Sequence, residues 1–140
     1  MKSASQNPKP GPGFTLLEMT IVILVLLTLI GGGFGTSNAY RKWSLAREAS
    51  ETVRTVYVAQ RTFLADNPTT APSAITPAML LPYLPGTATT MPTTKSHEGN
   101  TLHVRVNQSP PYWTTTSGGI DGVRYDPSGS VTDSLWDPGE

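Results

Sequence analysis

Hydrophobic and polar positions divide the chain into four stretches. Residues 1–13, MKSASQNPKPGPG, form a polar leader with two lysines, Lys2 and Lys9, no acid, and a helix-breaking end of proline and glycine. From Phe14 the composition changes abruptly: FTLLEMTIVILVLLTLI, residues 14–30, is almost wholly apolar, and no charge follows Glu18 until Arg41. About 20 uncharged residues at 1.5 Å each match the ~30 Å hydrocarbon core of a bilayer. This predicts a membrane segment over residues 14–35. Over residues 36–67 the pattern becomes amphipathic. Tyr40, Trp43, Ala46, Ala49 or Ser50, Val53, Val56 with Tyr57, and Phe63 with Leu64 recur at the spacing of one helical face. The helix is expected to stop at Asp66-Asn67-Pro68, where Pro68 pushes Asn67 away from helical backbone. Joined, the two parts would make one helix of about 50 residues and ~80 Å. A helix that long cannot bury itself in a small domain, so much of it is expected in lipid or against other chains.

Residues 68–140 read as a small loop-rich β head. Thr69 to Ser96 is rich in Pro, Thr and Ala, with one short helix: Thr76 as cap, Pro77 in the first turn, Ala78-Met79-Leu80-Leu81 before Pro82. Leu102, Val104 and Val106 alternate with His103, Arg105 and Asn107, a half-buried strand pattern. Tyr112 to Thr115 reads as a second strand. Gly122 to Tyr125 and Ser130 to Thr132, joined by the turn Asp126-Pro127-Ser128-Gly129, read as a hairpin. The predicted fold class is α+β: a long N-terminal helix packed on a small antiparallel sheet of three or four strands. Trp43, Val53, Tyr57, Leu80, Val104, Val106 and Val131 are the expected core.

Composition narrows the chemistry. Ten basic and ten acidic side chains cancel, so no global field favours nucleic acid. The absence of cysteine excludes disulfides, thiolate metal sites and a cysteine nucleophile. His97 and His103 stand in no metal-ligand spacing, and there is no nucleophile elbow, phosphate loop or dinucleotide fingerprint. No enzymatic activity, cofactor or metal is expected.

The informative residues lie at the leader's end: Gly13-Phe14-Thr15-Leu16-Leu17-Glu18. This string resembles the processing signal of type IV pilins and type II secretion pseudopilins, a glycine, an aromatic, then threonine-leucine-(leucine or isoleucine)-glutamate entering the membrane. It matches at every position, and the close resemblance covers residues 11–35. The resemblance implies a pilin-like fold and cleavage between Gly13 and Phe14 by a membrane-embedded prepilin peptidase, which also N-methylates Phe14. It further implies assembly with other pilin or pseudopilin subunits at an inner-membrane platform, into a pilus-like filament or a secretion pseudopilus. The prepilin would be single-pass in a bacterial inner membrane, its leader cytoplasmic and its head periplasmic or extracellular. An adhesive or DNA-binding minor subunit, or a membrane-anchored binding protein that does not polymerise, are the alternatives.

Physical arguments bear on each feature. A carboxylate deep in a span is unfavourable by ~2.5–3.5 kcal/mol on insertion scales, so Glu18 calls for a reason. Cleavage would place an ammonium four residues before it, and the ammonium of one subunit could neutralise Glu18 of its neighbour; alternatively Glu18 is simply hydrated at the interface. A secretory signal peptide cut before Tyr40, after Ser37-Asn38-Ala39, competes, but the apolar run exceeds the usual 7–15 residues. Gly31 and Gly35 form a G-x-x-x-G pair, though local unwinding in a filament is the preferred reading of glycines 31–35. Asp121, Asp126, Asp133 and Asp137 could supply oxygen ligands to calcium, as the resemblance also implies loosely; turn initiation is the plainer reading. Arg47, Arg54 and Arg61, seven apart, could meet phosphates, but a solvated face paired with Glu48 and Glu51 is preferred. Nucleic acid is therefore not an expected partner.

Overall fold

A computed structural model describes residue 11 and residues 13–139, apart from the side chains of Phe34 and Gly35. Lys2, Lys9 and most of the predicted leader lie outside the described residues. Helix α1, Leu16–Asp66, takes up 51 residues. The chain divides into two compact units, Met1–Ala39 and Tyr40–Glu140, of which the second is the head.

Within the head, the remainder of α1 turns one face inward: Ala46, Ala49, Ser50, Val53, Val56, Ala59, Gln60 and Phe63 are buried. The helix ends at the residue before Asn67-Pro68, whose Asn67 amide and side-chain nitrogen both donate to the Phe63 carbonyl, 2.9 and 3.0 Å. A 3-10 turn, Pro72–Ala74, leads to helix α2, Pro77–Leu80, and a second 3-10 turn, Leu81–Tyr83. Pro77 opens α2 as expected, but Thr76 makes no side-chain cap; its carbonyl accepts from the Met79 amide instead.

The sheet has three antiparallel strands in the order β1-β2-β3: Thr93–Lys95, Thr101–Arg105 and Tyr112–Thr114. Leu102 pairs with Thr94 and Val104 with Trp113. Leu102, Val104 and Val106 are buried, as their alternation requires. Strand β1 carries no such alternation. Its Thr-Thr-Lys sequence suits an exposed edge, and only backbone pairing marks it as a strand.

The hairpin expected over 122–132 is absent, although its turn exists, with Gly129 amide to Asp126 carbonyl at 3.4 Å. Local side-chain bonds take the amides a ladder would need. Asp126 Oδ1 accepts from the Ser128 amide, Ser128 Oγ from the Ser130 amide, and Ser130 Oγ from the Thr132 amide. On the other limb only the Tyr125 amide reaches a strand, donating to the Trp113 carbonyl at 2.7 Å. Gly122 has φ +109°, and a Cβ there would overlap the hydroxyls of Thr114 and Thr116, so the chain crosses β3 at a position open only to glycine.

Three members of the expected core are corrected with it. Val131 is 62% exposed, Trp43 is 52% exposed, and Tyr57 is half-buried and outside the core cluster. The indoles that fill the core are Trp113 and Trp136, 0% and 1% exposed. Trp113 Nε1 donates to the Ala49 carbonyl at 3.1 Å, which the small side chain of Ala49 permits by letting the ring approach the helix. Gln60 Nε2 donates to the carbonyls of Val106 (2.8 Å) and Gln108 (2.7 Å), fastening α1 to the end of β2.

The C-terminal residues form a strap along α1. The Trp136 amide donates to the Ala46 carbonyl (3.3 Å), Ser50 Oγ to the Asp137 carbonyl (2.6 Å), and Arg54 Nε to the Pro138 carbonyl (2.8 Å). Trp136 then meets His97 and Tyr125 edge-on, with ring centroids 5.1 and 5.0 Å apart.

Candidate functional site

The six residues of the processing-like string straddle the start of α1. Gly13, Phe14 and Thr15 are not helical, and Leu16 is the first helical residue. Thr15 is thus the N-cap: its Oγ1 accepts from the Glu18 amide at 3.2 Å. Thr-x-x-Glu at these positions is the pattern of a capping box, with Glu18 in the first turn where the helix dipole favours a carboxylate. Beyond the place of Thr15 in the motif, the spacing of three between Thr15 and Glu18 is the signal in the sequence that reveals its local role.

Phe14 is 74% exposed, and a Cβ built on Gly13 meets nothing within 4 Å. The Gly13–Phe14 peptide is therefore open, and nothing in its own chain demands glycine there. Beyond it, Leu16, Leu17, Met19 and the apolar residues from Ile21 to Ile30 all expose their side chains. α1 is long and apolar enough to cross a membrane. The threonine hydroxyls in this stretch bond within the helix: Thr20 Oγ1 donates to the Leu17 carbonyl (2.8 Å), Thr28 to Val25 (2.8 Å) and Thr36 to Gly32 (2.9 Å). Such back-bonding removes the need for water, as a hydrocarbon environment requires. Glu18 is the charged side chain of the stretch. The helix is continuous through glycines 31–35, and Cβ atoms at Gly31, Gly32 and Gly33 would meet nothing. These glycines serve no packing within the chain.

Of the remaining candidates, Asp121 is exposed, and the other aspartates have local roles. Asp126 forms a 3.5 Å ion pair with Arg124 and caps its own turn, and Asp133 Oδ1 accepts from the Leu135 amide. Asp137 Oδ1 accepts from the Gly139 amide at 2.6 Å while Oδ2 is buried without a partner. Burial pushes the Asp137 carboxyl above the ordinary carboxylate value; the Gly139 amide opposes this, Asp133 adds to it, Arg124 opposes it, and Asp126 adds to it. Among the described residues no group of three or more His, Asp or Glu could hold a metal ion. Of the arginine stripe, Arg54 holds the strap, Arg47 reaches Glu51 (3.7 Å) and the Ser134 carbonyl (3.4 Å), and Arg61 lies over the Tyr57 ring at 5.8 Å. His97 and His103 stand in different surroundings: His97 packs on Trp136, whereas His103 lines a cleft of about 500 Å³ with Pro77, Leu81 and Met91.

No protein-family model, curated protein or solved structure matches this chain.

Proposed function

We propose that this chain is a pilin-like subunit, made as a membrane-anchored precursor, cleaved after Gly13, N-methylated on Phe14 and polymerised through α1. One observation carries the reading. The string GFTLLE lies exposed at the mouth of a helix whose large apolar side chains from Leu16 to Ile30 are all exposed. An exposed apolar surface of that extent marks a membrane or protein interface. Glycine stands at 13 although nothing in the chain's own packing demands it, which fits recognition by a peptidase. Glu18 supplies the element of assembly: its carboxylate is the charge in a span whose threonine hydroxyls bond within the helix, and a neighbour's Phe14 ammonium is its complement. The other partners on this reading are the prepilin peptidase, the inner-membrane assembly platform and lipid.

Gly13→Val tests it. Expressed in place of the wild type, this variant should accumulate as full-length precursor in the membrane and vanish from the sheared filament fraction. Normal processing of Gly13→Val, or wild-type yield in the sheared fraction, would overturn the reading.

A further inference from the structure

Tyr40 and Trp43 continue the apolar stripe of α1, yet they stay outside the head's core, which begins at Ala46. Their rings form a tilted pair with centroids 6.0 Å apart, and Tyr40 is 67% exposed. Between them stand Arg41 and Lys42, both exposed and in no ion pair among the described residues. Lys42 and Trp43 also line a cleft of about 220 Å³ with His97, Ser128, Leu135 and Trp136. Of the carboxylates next in sequence to residues lining this cleft, Glu98 accepts from the Tyr125 hydroxyl (3.2 Å) and Asp126 pairs with Arg124.

Amphipathic Trp and Tyr rings settle at the headgroup level of a bilayer, and adjoining Lys and Arg reach lipid phosphates. These four residues directly follow the uncharged stretch from Met19 to Ala39, where the hydrocarbon must end if that stretch spans it. We propose that this end of the head is a lipid-binding surface. Tyr40 and Trp43 lie among the headgroups, and Arg41, Lys42 and the adjoining cleft receive the phosphate of an anionic phospholipid. The proposal rests on the membrane part of the proposed function and is independent of polymerisation. The surface fixes the depth of the precursor and leaves the lipid when the subunit does.

Full-length protein reconstituted in phosphatidylcholine vesicles, with or without phosphatidylglycerol, provides the test. Trp113 and Trp136 are buried, so the difference between wild type and Trp43→Phe isolates Trp43 fluorescence. A headgroup nitroxide lipid should quench Trp43 more than a nitroxide deep in the acyl chain. Phosphatidylglycerol should increase that quenching, and the Arg41→Gln/Lys42→Gln variant should lose the increase. The chain has no cysteine, so nitroxides at Tyr40→Cys and Val58→Cys give an independent depth reading, interfacial for the first and aqueous for the second. Vesicle-bound protein whose Trp43 is quenched by aqueous iodide but not by the headgroup nitroxide would overturn the proposal, as would protection of Trp43 only upon polymerisation. Failure to float with vesicles would overturn the membrane reading itself, and this proposal with it.

Discussion

At the scale of single residues, two carboxylates invite opposite tests. Glu18 sits at the third position of α1 below a threonine cap, so a local role and the proposed intersubunit role fall on one side chain. Gln retains the capping-box geometry and removes the charge. On the assembly account, Glu18→Gln and Glu18→Val are both cleaved normally, yet both assemble poorly, because each leaves a neighbour's ammonium buried without a counter-ion, at ~3–5 kcal/mol. Glu18→Asp should be intermediate. Comparing cleaved protein in membranes with protein in sheared filaments checks this; full assembly by Glu18→Gln would reduce Glu18 to a cap. Asp137 concerns stability instead. Its carboxyl is raised by burial, so the folded head binds a proton that the unfolded chain releases at the ordinary carboxylate value. That contribution is fully present below the ordinary value and is lost as pH rises through the raised one. Glu98 acts in the opposite sense. The Ser96 hydroxyl first, then its own backbone amide, hold it below the ordinary value, so its contribution is present above that value and lost as pH falls through the lowered one. Asp137→Asn should therefore stabilise the head at neutral pH and flatten the upper limb of a melting temperature–pH profile, leaving the lower limb in place.

At the scale of elements, the C-terminal strap is the feature with the largest expected effect. Trp136→Ala empties a fully buried site against α1 and should cost ~3–5 kcal/mol in urea unfolding. Arg54→Ala, which removes one hydrogen bond to the Pro138 carbonyl, should cost only ~1 kcal/mol. Near-equal losses would show that the bond, not the indole, holds the strap. This element was poorly legible in the sequence. Trp136 stands alone among Ser, Leu, Asp and Pro, with no periodicity to assign it inward, and its backbone partner Ala46 and ring partners His97 and Tyr125 all lie in other parts of the chain. Helix α1 and strand β2 were legible because periods of 3.6 and 2 leave a mark in sequence: the expected stop at Asp66 and the inward Leu102, Val104 and Val106 are found. Strand β1 was not, since an edge of Thr and Lys buries nothing that a pattern can record. The hairpin at 122–132 misled because its turn chemistry is real while its flanking amides are spent on serine and aspartate side chains. Trp43 misled differently: the stripe it belongs to continues past the end of the core.

At the scale of the molecule, the two units set different tasks. The head, Tyr40–Glu140, has its own core of two indoles, small aliphatics and a buried glutamine, while the N-terminal unit exposes nearly all its apolar side chains. A fragment beginning near Arg41 should thus be soluble and monomeric in sedimentation, with modest stability because its core is small. Filament formation by that fragment would contradict assembly through α1. The candidate site itself was readable from sequence as a string of residues, and the structure adds that the string is open, capped by Thr15 and followed by a helical stretch whose large apolar side chains, Leu16 to Ile30, are exposed. Its proposed meaning depends on a bond being cut. The most direct measurement is the mass of the N-terminal peptide of protein purified from its native membranes. The account predicts a chain beginning at Phe14 with one methyl group on its amine; a chain beginning at Met1 or at Tyr40 would contradict it.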